Sequence, residues 1–184
     1  MNEYQRAVEI LKDYVEFEGI ELFSQDILIS ELDAFKGIFS PEKLEELDDT
    51  NLLSTMFYSL GDNKNTLCYW LEMNSDCREN FGSIAGGSAY KFGLFQSQKS
   101  GTWSTGYSQK PVELTVENAL NLGKEIRNVL VIGANIIRNA KLETVKDYED
   151  LDDRLKTEIG EKYYELGWVH KYFSMICNDK LSGF

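Results

Sequence analysis

One long helical pattern, between Thr115 and Ala140, constrains the fold more than any other stretch of the sequence. Its apolar residues recur at helical spacing, which predicts one buried face along the whole segment. Thr115 stands at the N-cap position, where a hydroxyl accepts a hydrogen bond from a free backbone N–H. Gly123 and Gly133 fall near the buried stripe and leave room for another element to pack closely. The residues predicted to form the stripe are Leu120, Ile126, Val129, Leu130, Ile136 and Ile137.

A helix of this length needs partners that cover its apolar face, and both ends of the chain supply helical patterns. The N-terminal third predicts helices in EYQRAVEILKDYVEF, in SQDILISELDAFKGIF with Ser24 as N-cap, and in SPEKLEEL with Ser40 as N-cap. A further helix is predicted in DDTNLLSTMFYSL, capped by Asp49 or Thr50. The C-terminal third predicts two helices, DYEDLDDRLKTEIG and EKYYELGWVHKYFSMICND, with a hinge near Gly160.

The middle of the chain changes character and predicts a sheet. TLCYWLEM is a compact apolar run of strand length, and SAYKFGLFQSQ alternates as a strand does. KSGT is typical of a hairpin turn, and WSTGYS would return as the next strand. We expect roughly three to four antiparallel strands across 64–108. The predicted fold class is therefore α+β, with one domain over 1–184 that is helical over 1–60, forms the sheet over 64–108 and is helical again over 115–184.

The formal net charge of −12 is spread unevenly along the chain. From Asn80 to Val112 there is no Asp or Glu, and Lys91, Lys99 and Lys110 give this segment a charge of +3. The rest of the chain therefore carries −15, which is −12 less +3. A uniformly acidic surface would repel nucleic acid, so this cationic segment is the part that nucleic acid could approach.

The same segment is rich in aromatic, hydroxyl and amide side chains, which stack on bases and bond to phosphates or base edges. We predict that its lysines meet phosphates and that Trp103 or Tyr107 stacks on a base, with Trp103 as the better exposed candidate. Recognition of DNA predicts that the three lysines share one face. If they scatter and an apolar patch lies elsewhere, a protein–protein adaptor is favoured. The predicted site residues are Ser88, Lys91, Lys99, Trp103, Ser104, Thr105, Tyr107 and Lys110.

The sequence offers little for catalysis. The stretch GSIAGGS aligns with a phosphate loop at Gly82 and Gly87, but Ser88 stands where that loop requires lysine. His170 is the single histidine, which excludes a His-rich metal site and indicates a hydrogen-bonded packing role. We therefore predict a non-enzymatic protein with no catalytic residue, no metal and no cofactor.

Cysteine usage and the lack of membrane or export signals predict a cytoplasmic protein. Cys68, Cys77 and Cys177 fit neither a disulfide framework nor a CxxC metal knuckle, and Cys68 is predicted as a small buried hydrophobe. No uncharged apolar stretch reaches the length of about 18 residues that a membrane span needs. The N-terminus MNEYQRAVEI lacks the basic and apolar regions of a signal peptide.

At NTLCYWLEMNSD, FGSIAGGSAYKFGLFQ and GTWSTG, the chain resembles the region that precedes the motor in McrB-like AAA+ proteins of restriction systems. ALNLGKEIRNVLVIGANII and GWVHKYFSMICNDKLSGF look like its continuation, so the resemblance covers about 64–184. It implies the N-terminal module of a larger protein, which recognises DNA, often a modified base, while an AAA+ motor hydrolyses nucleotide. This chain has no Walker motif of its own.

The resemblance therefore implies a DNA target-recognition module of an anti-phage defence system, with DNA and an AAA+ motor as partners. Two other functions stay open on the sequence. The acidic helices of an adaptor would bind a basic protein without touching nucleic acid, and an acidic decoy would imitate DNA itself.

Overall fold

The computed structural model describes residues 3–19, 25–74, 81–84, 89–107 and 109–181. Contacts between Cα atoms group the chain into two compact units, Met1–Ser30 and Glu31–Phe184. The first unit holds helix α1 (Glu3–Phe17) and the beginning of helix α2 (Gln25–Phe39), so both predicted N-terminal helices are confirmed. Ser24, the predicted cap of α2, lies outside the described residues.

The second unit is built around helix α6 (Val116–Asn139), the long helix that the sequence predicts. The Thr115 hydroxyl accepts a hydrogen bond from the backbone N–H of Asn118 at 3.2 Å, which confirms the N-cap. Of the predicted stripe, Leu120 is half-buried and the other five residues are buried. The helices packed against α6 are α3 (Pro41–Glu45), α4 (Leu52–Met56), α7 (Val145–Ile159) and α9 (Gly167–Ile176).

The helices α3 and α4 form where predicted, but their caps differ. Ser40 stands at the N-cap of α3, yet its side chain makes no capping hydrogen bond. Before α4, whose N-cap is Asn51, the carboxylate of Asp48 accepts hydrogen bonds from the backbone N–H groups of Thr50 and Asn51 at 2.9 and 3.2 Å. Asp48 thus makes a local turn of the kind that aspartate favours. The N-cap is Asn51, which makes no side-chain capping bond, and not the predicted Asp49 or Thr50.

The stretch TLCYWLEM folds as helix α5 (Leu67–Glu72), so the strand predicted there is wrong. The Thr66 hydroxyl caps this helix by accepting a hydrogen bond from the backbone N–H of Tyr69 at 3.1 Å. Cys68 and Leu71 are both buried. Periodicity cannot separate a buried strand from a buried helical turn in so short an apolar run. The threonine cap was the sequence signal that favoured the helix.

The sheet confirms the α+β fold class, but it lies later in the chain than predicted. Its strands are β1 (Phe95–Gln96), β2 (Trp103–Tyr107) and β3 (Lys110–Leu114), antiparallel in the order β1-β2-β3. The strand in WSTGYS is confirmed, whereas Ala89–Phe92 forms a 3₁₀ turn. β3 was not predicted because Pro111 argues against a strand interior. Proline is tolerated there because β3 is an edge strand of the sheet.

The C-terminal helices are hinged where the sequence predicts. Gly160, with φ of +82°, separates α7 from α8 (Glu161–Tyr164). The last predicted helix is divided in two: α8 ends at Tyr164, and α9 (Gly167–Ile176) begins three residues later. At the start of α7, Thr144 and Asp147 form a capping box in which each side chain accepts from the other's backbone N–H.

Two glycines allow other helices to approach α6 closely, as predicted. A Cβ placed on Gly133 would lie 2.2 Å from Cζ of Phe173 in α9, and one on Gly123 would lie 2.9 Å from Cδ2 of Leu53 in α4. Carbon atoms in van der Waals contact are about 3.5–4 Å apart, so neither position has room for a side chain without movement.

We expect Gly133→Ala to lower the free energy of unfolding by about 1–3 kcal/mol, because the added methyl group overlaps the buried Phe173 ring. The better helix propensity of alanine, worth about 1 kcal/mol, is included in that net loss. Gly37→Ala in α2 is the matched control, since nothing lies within 4 Å of its Cβ position. It should raise stability by about 0.5–1 kcal/mol.

Urea unfolding followed by circular dichroism measures both variants. A midpoint for Gly133→Ala at or above that of the parent protein would contradict the expected overlap.

Candidate nucleic-acid interface

The structure describes seven of the eight predicted site residues and places them in three different environments. Ser88 lies outside the described residues. One lysine is held in a buried ion pair, three residues of β2 are covered or bonded within the protein, and three residues are exposed.

Lys91 belongs to a buried polar cluster and not to a free surface. Its Nζ lies 2.5 Å from Oε1 of Glu72 in α5 and donates a hydrogen bond to the carbonyl of Ile84 at 2.9 Å. The two charged side chains are 11% and 9% exposed. Burial of a charge is tolerated only with such pairing. The phosphate contact predicted for Lys91 is therefore corrected to a structural role.

A second lysine, which the sequence did not single out, reaches the same segment. Lys171 of α9 is fully buried, and its Nζ donates hydrogen bonds to the carbonyls of Leu71, at 2.7 Å, and Gly82. Lys171 and Lys91 thus hold two carbonyls, those of Gly82 and Ile84, within four residues of the Gly-rich stretch. We call the group formed by Glu72, Lys91 and Lys171 the lysine clamp. The only sequence signal for it was a lysine inside the apolar run GWVHKYF.

Cys68 adjoins the lysine clamp but has no reactive character. Burial, and secondarily the negative charge of Glu72, raises the pKa of the Cys68 thiol well above its usual range. Burial also raises the pKa of the Cys177 thiol to about 11. Both thiols therefore stay protonated near neutral pH, and the predicted packing role of Cys68 is confirmed. Cys77 lies outside the described residues.

Three predicted contact residues at the base and middle of β2 are turned toward the protein. Ser104 is fully buried, and its hydroxyl lies 3.4 Å from the carbonyl of Thr102. The Thr105 hydroxyl donates to the carbonyl of Gly93 at 2.6 Å. Trp103 is half-buried and packs against the core. Helix α6 and the 3₁₀ turn pack on this end of the sheet, so the buried Ser104 has a packing role in place of its predicted contact. Trp103 and Thr105 are half-buried, and their contacts with nucleic acid stay predictions.

The two exposed lysines lie at opposite ends of β2. Lys99 is in the turn before β2, and Lys110 begins β3 after it. A strand of five residues spans about 13 Å at roughly 3.3 Å per residue. With Lys91 in the clamp, the three lysines do not share one face, contrary to the arrangement expected for a basic surface.

Tyr107 and Lys110 are brought together as cross-strand partners at the end of the β2–β3 hairpin. The Tyr107 side chain is 79% exposed, and Val112 on the same face is 58% exposed. Strand alternation places Tyr107, Lys110 and Val112 on one face and sends Glu113 to the other. We call the first three residues the hairpin tip. It offers an aromatic ring, an ammonium group and an apolar methyl pair side by side.

The free edges of the sheet are protected from pairing with another strand. On β1, the backbone N–H of Gln96 donates to the carbonyl of Tyr58 at 2.9 Å, and its side-chain oxygen accepts from the N–H of Leu60 at 3.0 Å. On β3, Pro111 has no N–H to offer, and Glu113 adds a charge beside it. The hairpin therefore presents side chains to a partner, not a strand edge.

Outside the hairpin, the described residues include two surface cavities and a packed histidine. Among the described residues, no three His, Cys, Asp or Glu side chains stand close enough to hold a metal ion. His170 has the predicted packing role: its Nε2 hydrogen-bonds with the carbonyl of Tyr164 at 2.5 Å, and its ring meets the Tyr164 ring edge-on. Two surface cavities of about 210 and 300 Å³ lie between α6 and α7, and none of the described site residues lines them. No helix in the described ranges has the length and apolar character needed to cross a membrane.

Comparison of the chain with protein-family models, with curated proteins and with solved structures gives no match. The resemblance of residues 64–184 to McrB-like proteins therefore stays a prediction.

We expect Lys91→Met to lower the free energy of unfolding by about 3–5 kcal/mol, because it leaves the buried Glu72 carboxylate without its partner. Lys99→Met in the exposed turn is the control and should change stability by less than about 0.5 kcal/mol. Chemical denaturation of both variants measures the difference.

A double-mutant cycle with Glu72→Gln tests whether the two side chains act as a pair. The loss caused by Lys91→Met should be smaller when Glu72 is already neutral. If the losses of unfolding free energy in the two single variants simply add in the double variant, Lys91 and Glu72 do not act as a pair.

Proposed function

We propose that this chain is a non-enzymatic DNA-recognition module and that the hairpin tip is its contact surface. The observation that carries the proposal is the exposed cross-strand pair of Tyr107 and Lys110. An aromatic face beside a cation is the combination that single bases and their phosphates require. The resemblance to the recognition region of McrB-like restriction motors supports the same function. It adds an anti-phage defence role, a cytoplasmic location and an AAA+ motor partner to the proposal.

Charge distribution supports this choice of surface. The hairpin tip lies within the longest acid-free segment, 80–112, of a chain whose remainder carries −15, that is −12 less +3. DNA would be repelled from the helical faces and would meet least repulsion at the sheet. One base stack is worth about 1–3 kcal/mol, so one copy of the chain should bind weakly. Several copies joined in a motor ring would bind far more tightly through their combined contacts.

An acidic protein–protein adaptor is the second candidate, and a specific observation favours it. Lys99 and Lys110 lie at opposite ends of β2, and Lys91 is paired with Glu72. A basic surface for phosphates is therefore small. On this alternative, Tyr107 and Val112 would contact a protein, and the acidic helices would attract a basic one.

Fluorescence anisotropy with labelled DNA, at about 50 and 150 mM salt, tests the proposal. Single-stranded, unmodified duplex and methylated duplex oligonucleotides serve as probes. We expect Lys110→Gln to weaken binding and to lower the steepness of the salt dependence by about 0.7–0.9, the share of one phosphate contact. Lys99→Gln removes the same charge at the far end of β2 and should leave both quantities unchanged.

Two outcomes would reject the proposal. Lack of binding to every probe at the lower salt concentration would favour the adaptor. Equal effects of Lys110→Gln and Lys99→Gln would mean that net charge alone governs binding and that the hairpin tip has no special role.

A further inference from the structure

The exposed ring of Tyr107 restricts which form of DNA the hairpin tip could bind. The ring is 79% exposed at the end of a two-stranded hairpin, and its cross-strand neighbour Lys110 is also exposed. A ring stacks only on a base whose face is free. In a paired duplex each base face is covered by its neighbours, so stacking there requires a base to be unstacked first, at a cost of a few kcal/mol.

The three lysines of the acid-free segment also favour an unpaired base over a paired duplex. Proteins that hold a duplex by its backbone commonly neutralise about 6–10 phosphates, whereas the hairpin tip carries one ammonium group. Lys99 lies in the turn before β2, so the whole strand, about 13 Å long, separates it from Lys110, and Lys91 is committed to Glu72. A two-stranded hairpin is narrow enough to enter a major groove of about 12 Å, but one lysine cannot anchor it to the phosphates on both sides.

Electrostatic repulsion from the acidic remainder of the protein also favours single-stranded DNA over duplex DNA. The chain as a whole carries −12, and a duplex carries one negative charge per about 1.7 Å of its length. A single strand has a lower charge density and is flexible enough to leave the acidic faces after it passes the hairpin. The uncharged stacking contact is retained, and the repulsion is reduced.

We infer that the hairpin tip recognises an unpaired base, in single-stranded DNA or at an unpaired position in a duplex, and not the paired surface of a duplex. Tyr107 stacks on the free face of that base, Lys110 contacts the adjacent phosphate, and Val112 lies against the edge of the stacked pair. This inference rests on the proposed function, since it names the class of DNA that the same surface takes.

Three labelled DNAs of one sequence test the inference by anisotropy: a single strand, a fully paired duplex, and the same duplex with one bulged nucleotide. The parent protein should bind the single strand and the bulged duplex roughly 5- to 150-fold more tightly than the paired duplex, the range that corresponds to one base stack. Its salt dependence on the single strand should have a slope near −0.7, the value for one phosphate.

Two substitutions of Tyr107 form the matched pair. Tyr107→Phe keeps the ring and should keep the preference for unpaired DNA, whereas Tyr107→Ser removes the ring and should abolish that preference. Because the side chain is exposed, both variants should unfold at the temperature of the parent protein. Equal affinity of the parent for all three DNAs, or a preference that survives Tyr107→Ser, would overturn the inference and leave the proposed function standing. Failure of the parent to bind any of the three DNAs would overturn both.

Discussion

Two lysine ammonium groups, placed where the chain has little access to water, hold the middle of this protein to its helical core. Lys91 pairs with Glu72 and bonds to the carbonyl of Ile84, while Lys171 bonds to the carbonyls of Leu71 and Gly82. Backbone carbonyls in a Gly-rich stretch have few regular partners, so donors must come from elsewhere. The clamp supplies them from α9 and from the 3₁₀ turn, and so fixes residues 81–84.

The clamp also decides what the sheet can present to a partner. It withdraws Lys91 from the surface, and the core covers the end of β2 that carries Trp103 and Ser104. The far end of the β2–β3 hairpin extends beyond that cover, which leaves Tyr107 and Lys110 exposed. The candidate interface is therefore small, because Lys91 and the covered end of β2 stabilise the fold and only part of the acid-free segment is left to contact a partner.

Sequence patterns predicted the helices well and the sheet poorly, for physical reasons that particular residues show. Thr115 and the apolar stripe after it specify α6 locally, because cap and periodicity agree. TLCYWLEM was mistaken for a strand because a short run that is buried on several sides loses its periodicity. β3 was missed because its proline is acceptable only at an edge, and whether a strand lies at an edge is a property of the assembled sheet.

For the site, the sequence by itself determined that residues 80–112 contain lysines and no acidic residue. It also determined that helical segments precede and follow this stretch along the chain. Both follow from the sequence because charge and helical periodicity are local properties. It could not determine which of those side chains would reach solvent. Tertiary structure alone decided that Lys91 is bound to Glu72 and that Ser104 is buried while Tyr107 stays exposed. The physical reason is that burial and ion pairing depend on residues distant in the chain, which no local pattern brings together.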